Sequence, residues 1–476
     1  MKISEPNNLS RPQAALRWSP LIQLILSILA SILLLGVALI IFIVSITQNF
    51  SSGATQTDLT QSFMIVASLV FAGVLVLPSA WYAWKDLASR TTQPKPLPEP
   101  RNYTLLLTLF MLAVVGAALF LGNMVAQNER VSWLLLPPLN IIATGLPALW
   151  VIYIGSRGLI SGAPRRQWGA FASGLVLGPI IILVLELLLL VGMGVLALLW
   201  IMVNPNLSSQ LNGIAFRLQH AAPNTEAVLR ILLPFLVNPG IIFLIFAFIS
   251  VLVPMLEEIF KPIGVWFMAG QKLTSAQGFG FGVLSGAGFG LFENLGNTSN
   301  GGADWALLAS SRVSTLLLHS FTAGLMGWAL VSAWSQRRYL RLLLTYALAV
   351  FIHGLWNGMA VLSIIPSLQG LSNVSIPSAL EQIGNFSYYG IIILGVIVLV
   401  LYIVINNLLR HQARVPQVLP SLEGGIPNQH NDLPPGGSEN NDIISESGNS
   451  PSEQSEKLNQ EPDHENDHPT TGEINS

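Results

Sequence analysis

Residues 241–268 read IIFLIFAFISVLVPMLEEIFKPIGVWFM, an apolar stretch that contains three charged residues. A helix rises about 1.5 Å per residue, so roughly 20 such residues span the hydrocarbon core of a bilayer. The charged residues are Glu257, Glu258 and Lys261. A charge at mid-membrane costs roughly 3 kcal/mol or more, so residues of this kind usually mark a functional site.

The composition indicates a membrane protein rather than a soluble domain. Of the 476 residues, 52% are hydrophobic and only 10% are charged, and the mean hydropathy is +0.60. These values are typical of a polytopic helical protein in a lipid bilayer. The net charge of −2 gives no indication of a nucleic-acid partner. The absence of cysteine excludes disulfides, thiolate nucleophiles and Cys-ligated zinc.

Apolar runs of span length predict an all-α, polytopic transmembrane bundle of about ten helices. The runs cover residues 21–46, 62–84, 103–126, 132–153, 168–203, 232–270, 277–297, 305–335, 341–365 and 385–408. The fifth and sixth runs are too long for one upright helix. The expected kink positions are Pro179, Pro239, Pro254 and Pro262. Most of the 22 Lys and Arg residues fall in loops on one side, which predicts that both termini are cytosolic.

These runs divide the chain into five predicted segments. Residues 1–20 form a cytosolic N-terminal segment, and residues 21–203 form an accessory region of five spans. Residues 204–231 form an external loop, in which interleaved polar and apolar residues suggest a short interfacial helix. Residues 232–408 hold five further spans with the polar residues, and residues 409–476 form an acidic cytosolic tail. The tail has too little apolar surface to fold alone, so disorder is expected there.

Polar residues recur in four consecutive spans of the second half of the chain. In chain order they are Glu257, Glu258, Lys261, Glu293, Arg312, His319, His353 and Asn357. Counted from the predicted loops, they lie in one broad mid-membrane layer. Scattered structural polar residues are not expected to share a layer, so the pattern predicts one hydrated site for hydrolysis inside the bilayer.

The pair of adjacent glutamates has two interpretations. Two carboxylates in a low dielectric do not both ionise easily without a compensating cation or metal, which suits acid–base chemistry on water. Alternatively, Glu257 and Lys261 form a neutralised pair one helical turn apart, while Glu258 faces a wet crevice.

The other spans also leave alternatives open. The ladder at Gly278, Gly282, Gly286 and Gly290 favours close helix packing over a path for substrate. Glu293 is a metal ligand, an acid that hydrogen-bonds to a metal ligand, or simply the partner of Arg312. His353 and Asn357, one turn apart, form either a donor pair for a developing oxyanion or an interhelical hydrogen bond.

Four short motifs, in this order, are similar to those of the PrsW family of intramembrane proteases, which is related to the Abi and type II CAAX prenyl endopeptidase group. They are E-E-x-x-K at 257–261, F-E-N at 292–294, R-x6-H at 312–319 and H-x3-N at 353–357. The resemblance implies a membrane-embedded protease, in the bacterial plasma membrane, that cuts a membrane-anchored protein such as a regulatory factor.

The resemblance also implies a role for each matching residue. Glu257 with His319 activates a water, and His353 with Asn357 forms the oxyanion site, while Glu258 orients the pair. Lys261, Glu293 and Arg312 support these residues. The CAAX relatives carry F-x3-H, but Gly296 stands four residues after Phe292. Either His319 takes the role of that histidine from another helix, or Glu293 changes the chemistry.

Whether a cofactor takes part is open. Catalytic zinc takes three protein ligands and a water, and the candidate ligands are Glu257, Glu258, His319 and His353. The chain has no H-E-x-x-H or other compact ligand spacing, which favours a glutamate-dependent mechanism without metal.

Two other functions fit the same residues. A proton- or ion-coupled transporter would use Glu186, the two glutamates and the histidines as a relay. A catalytically inert membrane scaffold would keep these residues for binding alone.

Overall fold

The computed structural model describes residues 18–52, 56–88, 103–160, 163–220, 225–236, 238–300, 302–368 and 378–414. These residues form helices and short connections, with no strand among them, so the predicted all-α fold is confirmed. They all belong to one compact unit. Most of the predicted N-terminal segment 1–20 and acidic tail 409–476 lies outside the described residues. The cytosolic placement of both termini stays a prediction.

The helices are numbered in chain order. They are α1 (Trp18–Ser52), α2 (Gln56–Ala88), α3 (Thr104–Ala126), α4 (Glu129–Ser156), α5 (Pro164–Ala172), α6 (Gly178–Met202), α7 (Pro205–His220), α8 (Thr225–Leu236), α9 (Pro239–Ala247), α10 (Val253–Phe260), α11 (Ile263–Trp266), α12 (Ser275–Thr298), α13 (Trp305–Gln336), α14 (Tyr339–Leu368) and α15 (Ser378–Arg414). The predicted external loop 204–231 is therefore largely helical, since it contains α7 and the start of α8.

Nine helical stretches of the described chain are long and apolar enough to cross a membrane, judged by length and composition. The remaining predicted span, 277–297, is α12, a 24-residue helix that is rich in glycine. Glycine contributes little apolar character, so α12 is less apolar than the other nine. Most of its residues are nevertheless buried inside the bundle.

The two longest apolar runs are interrupted by π-helical turns. The fifth run passes from α5 through a π turn at Ser173–Leu177 into α6. The sixth run is divided into α8, α9, a π turn at Phe248–Leu252, α10 and α11. Each predicted kink proline lies at a helix start or between two helices: Pro179 in α6, Pro239 in α9, Pro254 in α10, and Pro262 before α11. Single π turns inside helices are frequent at functional sites.

Helices α12 and α13 pack closely because glycines on α12 face the backbone of α13. A Cβ atom on Gly282 would overlap the carbonyl oxygen of Ala323, and one on Gly286 would overlap that of His319. Only a residue without a side chain lets the two backbones approach so closely. The packing interpretation of the glycine ladder is confirmed, and the close contact fixes the depth of His319 against α12.

Candidate active site

One turn of α10 carries two carboxylates that share a single buried ammonium group. Lys261 Nζ lies 2.8 Å from Glu257 Oε2 and 2.8 Å from Glu258 Oε1. The spacings of four and three residues place both acids on the side of the helix where the lysine lies. The side chains of Lys261 and Glu258 are fully buried. The alternative in which Glu258 faces a wet crevice is therefore wrong.

Helix α14 adds His353 to this cluster. Its Nδ1 atom lies 3.0 Å from Glu258 Oε1 and 3.1 Å from Lys261 Nζ. We assign Nδ1 as the donor to Glu258, because an ionised carboxylate only accepts hydrogen bonds. The contact with the Lys261 ammonium is then an approach of two donors and not a hydrogen bond. The other ring nitrogen, Nε2, then keeps its lone pair and lies 3.8 Å from Glu257 Oε2.

Helix α13 brings His319 to the opposite side of His353. The two imidazole rings are perpendicular, at 87°, with centroids 5.3 Å apart. His319 Nε2 lies 2.6 Å from Glu293 Oε2, at ion-pair distance but outside the angles of a hydrogen bond. Glu293 also forms an ion pair with Arg312. The predicted Glu293–Arg312 partnership is thus present, and the same acid adjoins an imidazole.

Three of the predicted residues bring potential metal-ligand atoms close together. Glu257, His319 and His353 each present one potential ligand atom, and these atoms lie within 4.8 Å of one another. All three residues are buried, with 8%, 1% and 2% exposure. Apart from ion-pair contacts, Glu257 Oε2 and both ring nitrogens of His319 have no hydrogen-bond partner among the described residues.

The ligand atoms that converge here fit a metal ion. Buried polar atoms normally have partners, and His319 Nδ1 has neither a hydrogen bond nor an ion-pair contact among the described residues, so it needs a further occupant. Two imidazoles and one carboxylate are a ligand set of catalytic zinc sites, which leave a fourth position open for water or substrate. Of the four candidate ligands, Glu258 lies outside this group of three, because it contacts Lys261 and His353 instead.

Asn357 lies one turn from His353 on α14, and its side chain binds a neighbouring helix. Its Nδ2 atom donates a hydrogen bond of 3.1 Å to the carbonyl of Ile249. Ile249 belongs to the π turn that precedes α10. Asn357 thus forms an interhelical hydrogen bond to a backbone carbonyl, whereas the predicted alternative was a His–Asn hydrogen bond, which the described residues do not show. The role of Asn357 at an oxyanion stays a prediction.

Two residues near the site were not assigned to the protease site from the sequence, and Glu186 was considered only in the transporter alternative. Glu186 of α6 lies near Glu257, and its Oε1 atom is buried without a hydrogen-bond partner among the described residues. The ring of Phe289 lies between an imidazole and the ammonium group, 5.2 Å from the His319 ring and 5.3 Å from Lys261 Nζ. The signal for Glu186 was present in the sequence, as a lone acid in an apolar span. Phe289 has no such signal, because aromatic residues are common in membrane helices.

Residues 164–380 match the family model described as PrsW family intramembrane metalloprotease. No curated protein and no solved structure matches the chain. The family resemblance is thus confirmed, over a segment that contains every predicted site residue and also Glu186. With nine membrane-length helices in the described chain, the match supports intramembrane proteolysis by a multi-pass membrane protein.

Proposed function

We propose that this membrane protein, with its PrsW-family segment at residues 164–380, is a metal-dependent endopeptidase that hydrolyses peptide bonds of membrane-anchored proteins. The observation that carries the proposal is the convergence of Glu257, His319 and His353 from three helices, with ligand atoms within 4.8 Å of one another. A histidine kept only for packing would be expected to satisfy a buried ring nitrogen such as His319 Nδ1, which has no hydrogen-bond partner among the described residues.

Glu257, His319 and His353 are the residues that would hold the metal. A zinc ion in such a site supplies Lewis acidity, which polarises a peptide carbonyl and makes water a nucleophile at neutral pH. The missing compact ligand motif, which favoured a mechanism without metal, has a structural explanation in this proposal. The ligands come from α10, α13 and α14, so they share no short spacing in the sequence.

Glu258 and Glu293 orient the two imidazoles. Glu258 Oε1 lies 3.0 Å from His353 Nδ1, and Glu293 Oε2 lies 2.6 Å from His319 Nε2. Each histidine therefore has a carboxylate at one ring nitrogen and keeps the other for a ligand, as metal-binding histidines commonly do. The same acids hold the rings in place while substrate binds.

The ammonium group of Lys261 offsets the electrostatic cost of burying the two α10 carboxylates. Its ammonium contacts both Glu257 and Glu258 at 2.8 Å. A buried ion pair is tolerated when its charges are matched and its geometry is close, whereas an unmatched buried charge is strongly destabilising. Lys261 thus fixes the position of Glu257 relative to the histidines.

Water and substrate approach from the side where the acids keep some exposure. The side chains of Glu257 and Glu293 are 11% and 33% exposed, whereas those of Glu258 and Lys261 are closed off. A helical substrate hides its peptide groups in internal hydrogen bonds, so it must be locally unwound before a bond reaches the site. The second N–H of the Asn357 amide, beyond the one given to Ile249, is the donor we propose for the developing oxyanion.

Cleavage of single-span reporter proteins by the purified full chain in detergent tests this function. We expect defined fragments with wild type, loss of those fragments with Glu257→Gln and with His353→Ala, and reversible inhibition by a zinc chelator. The matched controls are the exposed Glu129→Gln and His411→Ala, which should cleave normally.

The same variants separate the competing functions. Loss in both site variants without chelator sensitivity would favour the mechanism without metal. Unchanged cleavage in either variant contradicts the proposed site. Glu186 lies near Glu257, and a proton relay would also need these two acids close together. Proton-coupled uptake into vesicles without any cleavage would therefore favour the transporter.

A further inference from the structure

A cavity lies apart from the metal-ligand cluster. It has a volume of about 240 Å³ and is lined by residues of α1, α2, α5, the π turn before α6, and the segment around α11. It therefore lies between the accessory helices and the PrsW-family segment. None of the residues proposed to hold the metal, or to orient its ligands, lines it.

The cavity has a polar end and an apolar end. The polar end lies where helices begin, with Ser19 in the first turn of α1 and Arg166 in the first turn of α5. The apolar end reaches Ala30 on α1 and Val176 in the π turn. From Ser19 to Ala30 the helix rises about 16 Å. In a bilayer, a charged end where the helices begin and an apolar interior at this depth suit the headgroup and the first part of one acyl chain of a phospholipid.

Arg165, at the polar end of the cavity, already has its charge neutralised. Arg165 lies 3.0 Å from Asp86 in an ion pair, and it donates a hydrogen bond of 3.0 Å to Gln23 Oε1. Gln23 in turn donates to Ser79 Oγ at 3.0 Å. These contacts form a fixed polar wall, and they leave the neighbouring cation as the available charge.

Arg166 and the buried Gln271 Oε1 are the two groups of the cavity that lack a polar partner among the described residues. Arg166 is half-buried and has no ion pair among the described residues. Gln271 Oε1 is buried and accepts no hydrogen bond from them. The missing partner is therefore an anion beside a hydrogen-bond donor.

We propose that this cavity binds one anionic phospholipid whose headgroup carries hydroxyl groups, such as phosphatidylglycerol. The phosphate pairs with Arg166, a headgroup hydroxyl donates to Gln271 Oε1, and an acyl chain lies along Ala30 and Val176. Phosphatidylcholine carries the same phosphate, but its quaternary ammonium offers no hydroxyl donor and adds a positive charge beside the arginine.

The cavity wall leads directly to the catalytic segment. Gly264 lines the cavity, and its N–H donates to Ser285 Oγ at 3.2 Å. The same hydroxyl donates to the carbonyl of Lys261 at 2.5 Å. A lipid in this cavity therefore packs against the turn that holds Lys261, and its binding should stabilise the folded protein.

Lipid binding can be tested on the delipidated full chain by native mass spectrometry in detergent, with equal amounts of phosphatidylglycerol and phosphatidylcholine. We expect wild type to retain phosphatidylglycerol in preference. Arg166→Gln should weaken this retention about fivefold, because one basic residue near a membrane surface contributes on that order. Arg338→Gln is the matched control, since Arg338 is exposed and lies outside the cavity, and it should bind like wild type.

A second variant tests the apolar end without changing any charge. Ala30→Trp fills that end, so it should reduce bound phosphatidylglycerol while circular dichroism and size-exclusion behaviour stay as in wild type. Equal retention of the two lipids by wild type would overturn the proposal, as would unchanged binding in both Arg166→Gln and Ala30→Trp. Full displacement of the lipid by millimolar inorganic phosphate would also overturn it, because the site would then recognise phosphate alone.

Discussion

Glu258 on α10 contacts His353 on α14, with 3.0 Å between the carboxylate Oε1 and the imidazole Nδ1. Glu258 is fully buried, so water does not compete for this contact. The neighbouring Glu257 keeps some exposure and lies beside His319 and His353, while its Oε2 atom forms an ion pair with Lys261. The two adjacent glutamates thus take different positions: Glu258 contacts Nδ1 of His353, and Glu257 lies on the Nε2 side of the same ring.

Glu258→Gln should leave the fold intact and weaken catalysis. The amide no longer holds the imidazole of His353 with a charged acceptor, and loss of such a partner typically costs 10- to 100-fold in metal affinity or activity. Zinc titration and reporter cleavage measure both effects, and Glu258→Asp should recover part of each. Wild-type affinity and rate in Glu258→Gln would contradict the orienting role.

Lys261→Met should destabilise the protein, because it leaves Glu257 and Glu258 buried without their cation. Breaking a buried ion pair from one side costs about 3–5 kcal/mol. Thermal unfolding in detergent, followed by intrinsic fluorescence, measures the change against Lys272→Met, whose lysine is exposed. Equal midpoints for the two variants would show that Lys261 does not neutralise the acids.

Gly286→Ala should separate α12 from α13, because the new Cβ would overlap the carbonyl oxygen of His319. Overpacking of this kind costs about 1–3 kcal/mol, and the resulting shift of His319 should lower the cleavage rate at least tenfold. Gly296→Ala on the same helix is the control, since a Cβ there meets nothing within 4 Å. It should be neutral or slightly stabilising. Similar losses in both variants would contradict the packing explanation.

Glu186→Gln tests the acid that reaches the site from α6. Because Glu186 lies near Glu257 and its buried Oε1 has no hydrogen-bond partner among the described residues, we expect it to position that carboxylate through water or substrate. Glu186→Gln should slow reporter cleavage about tenfold. The amount of bound zinc, the KM and the thermal midpoint should stay near those of wild type. Glu129→Gln, on the exposed start of α4, is the control. A large loss of bound zinc in Glu186→Gln would instead make it a ligand.

The apolar runs predicted the fold well, because a span in a bilayer needs a long stretch of apolar residues whatever its neighbours are. The predicted start of the fourth run at residue 132 differs by three residues from the helix start at Glu129. The π turns were not predicted, since no residue pattern in 173–177 or 248–252 distinguishes them from ordinary helix.

The site was predicted as a set of residues but not as an arrangement. Burial of charge in lipid is rare enough that Glu257, Glu258, His319 and His353 stand out in the sequence. Which acid faces the histidines depends on how α10 rotates against α13 and α14, and spacing along one helix does not determine that rotation. For the same reason, the sequence did not predict that Glu186 lies near Glu257, because this depends on how α6 packs against α10.

The metal content of the purified protein is the most direct test of the central claim that Glu257, His319 and His353 form one site. Elemental analysis should find about one zinc per chain in wild type and in the control His411→Ala. It should find most of the zinc lost in each of Glu257→Gln, His319→Ala and His353→Ala, all still folded. Unchanged zinc in any of the three, or a cleaving wild type that contains no metal, would contradict the account.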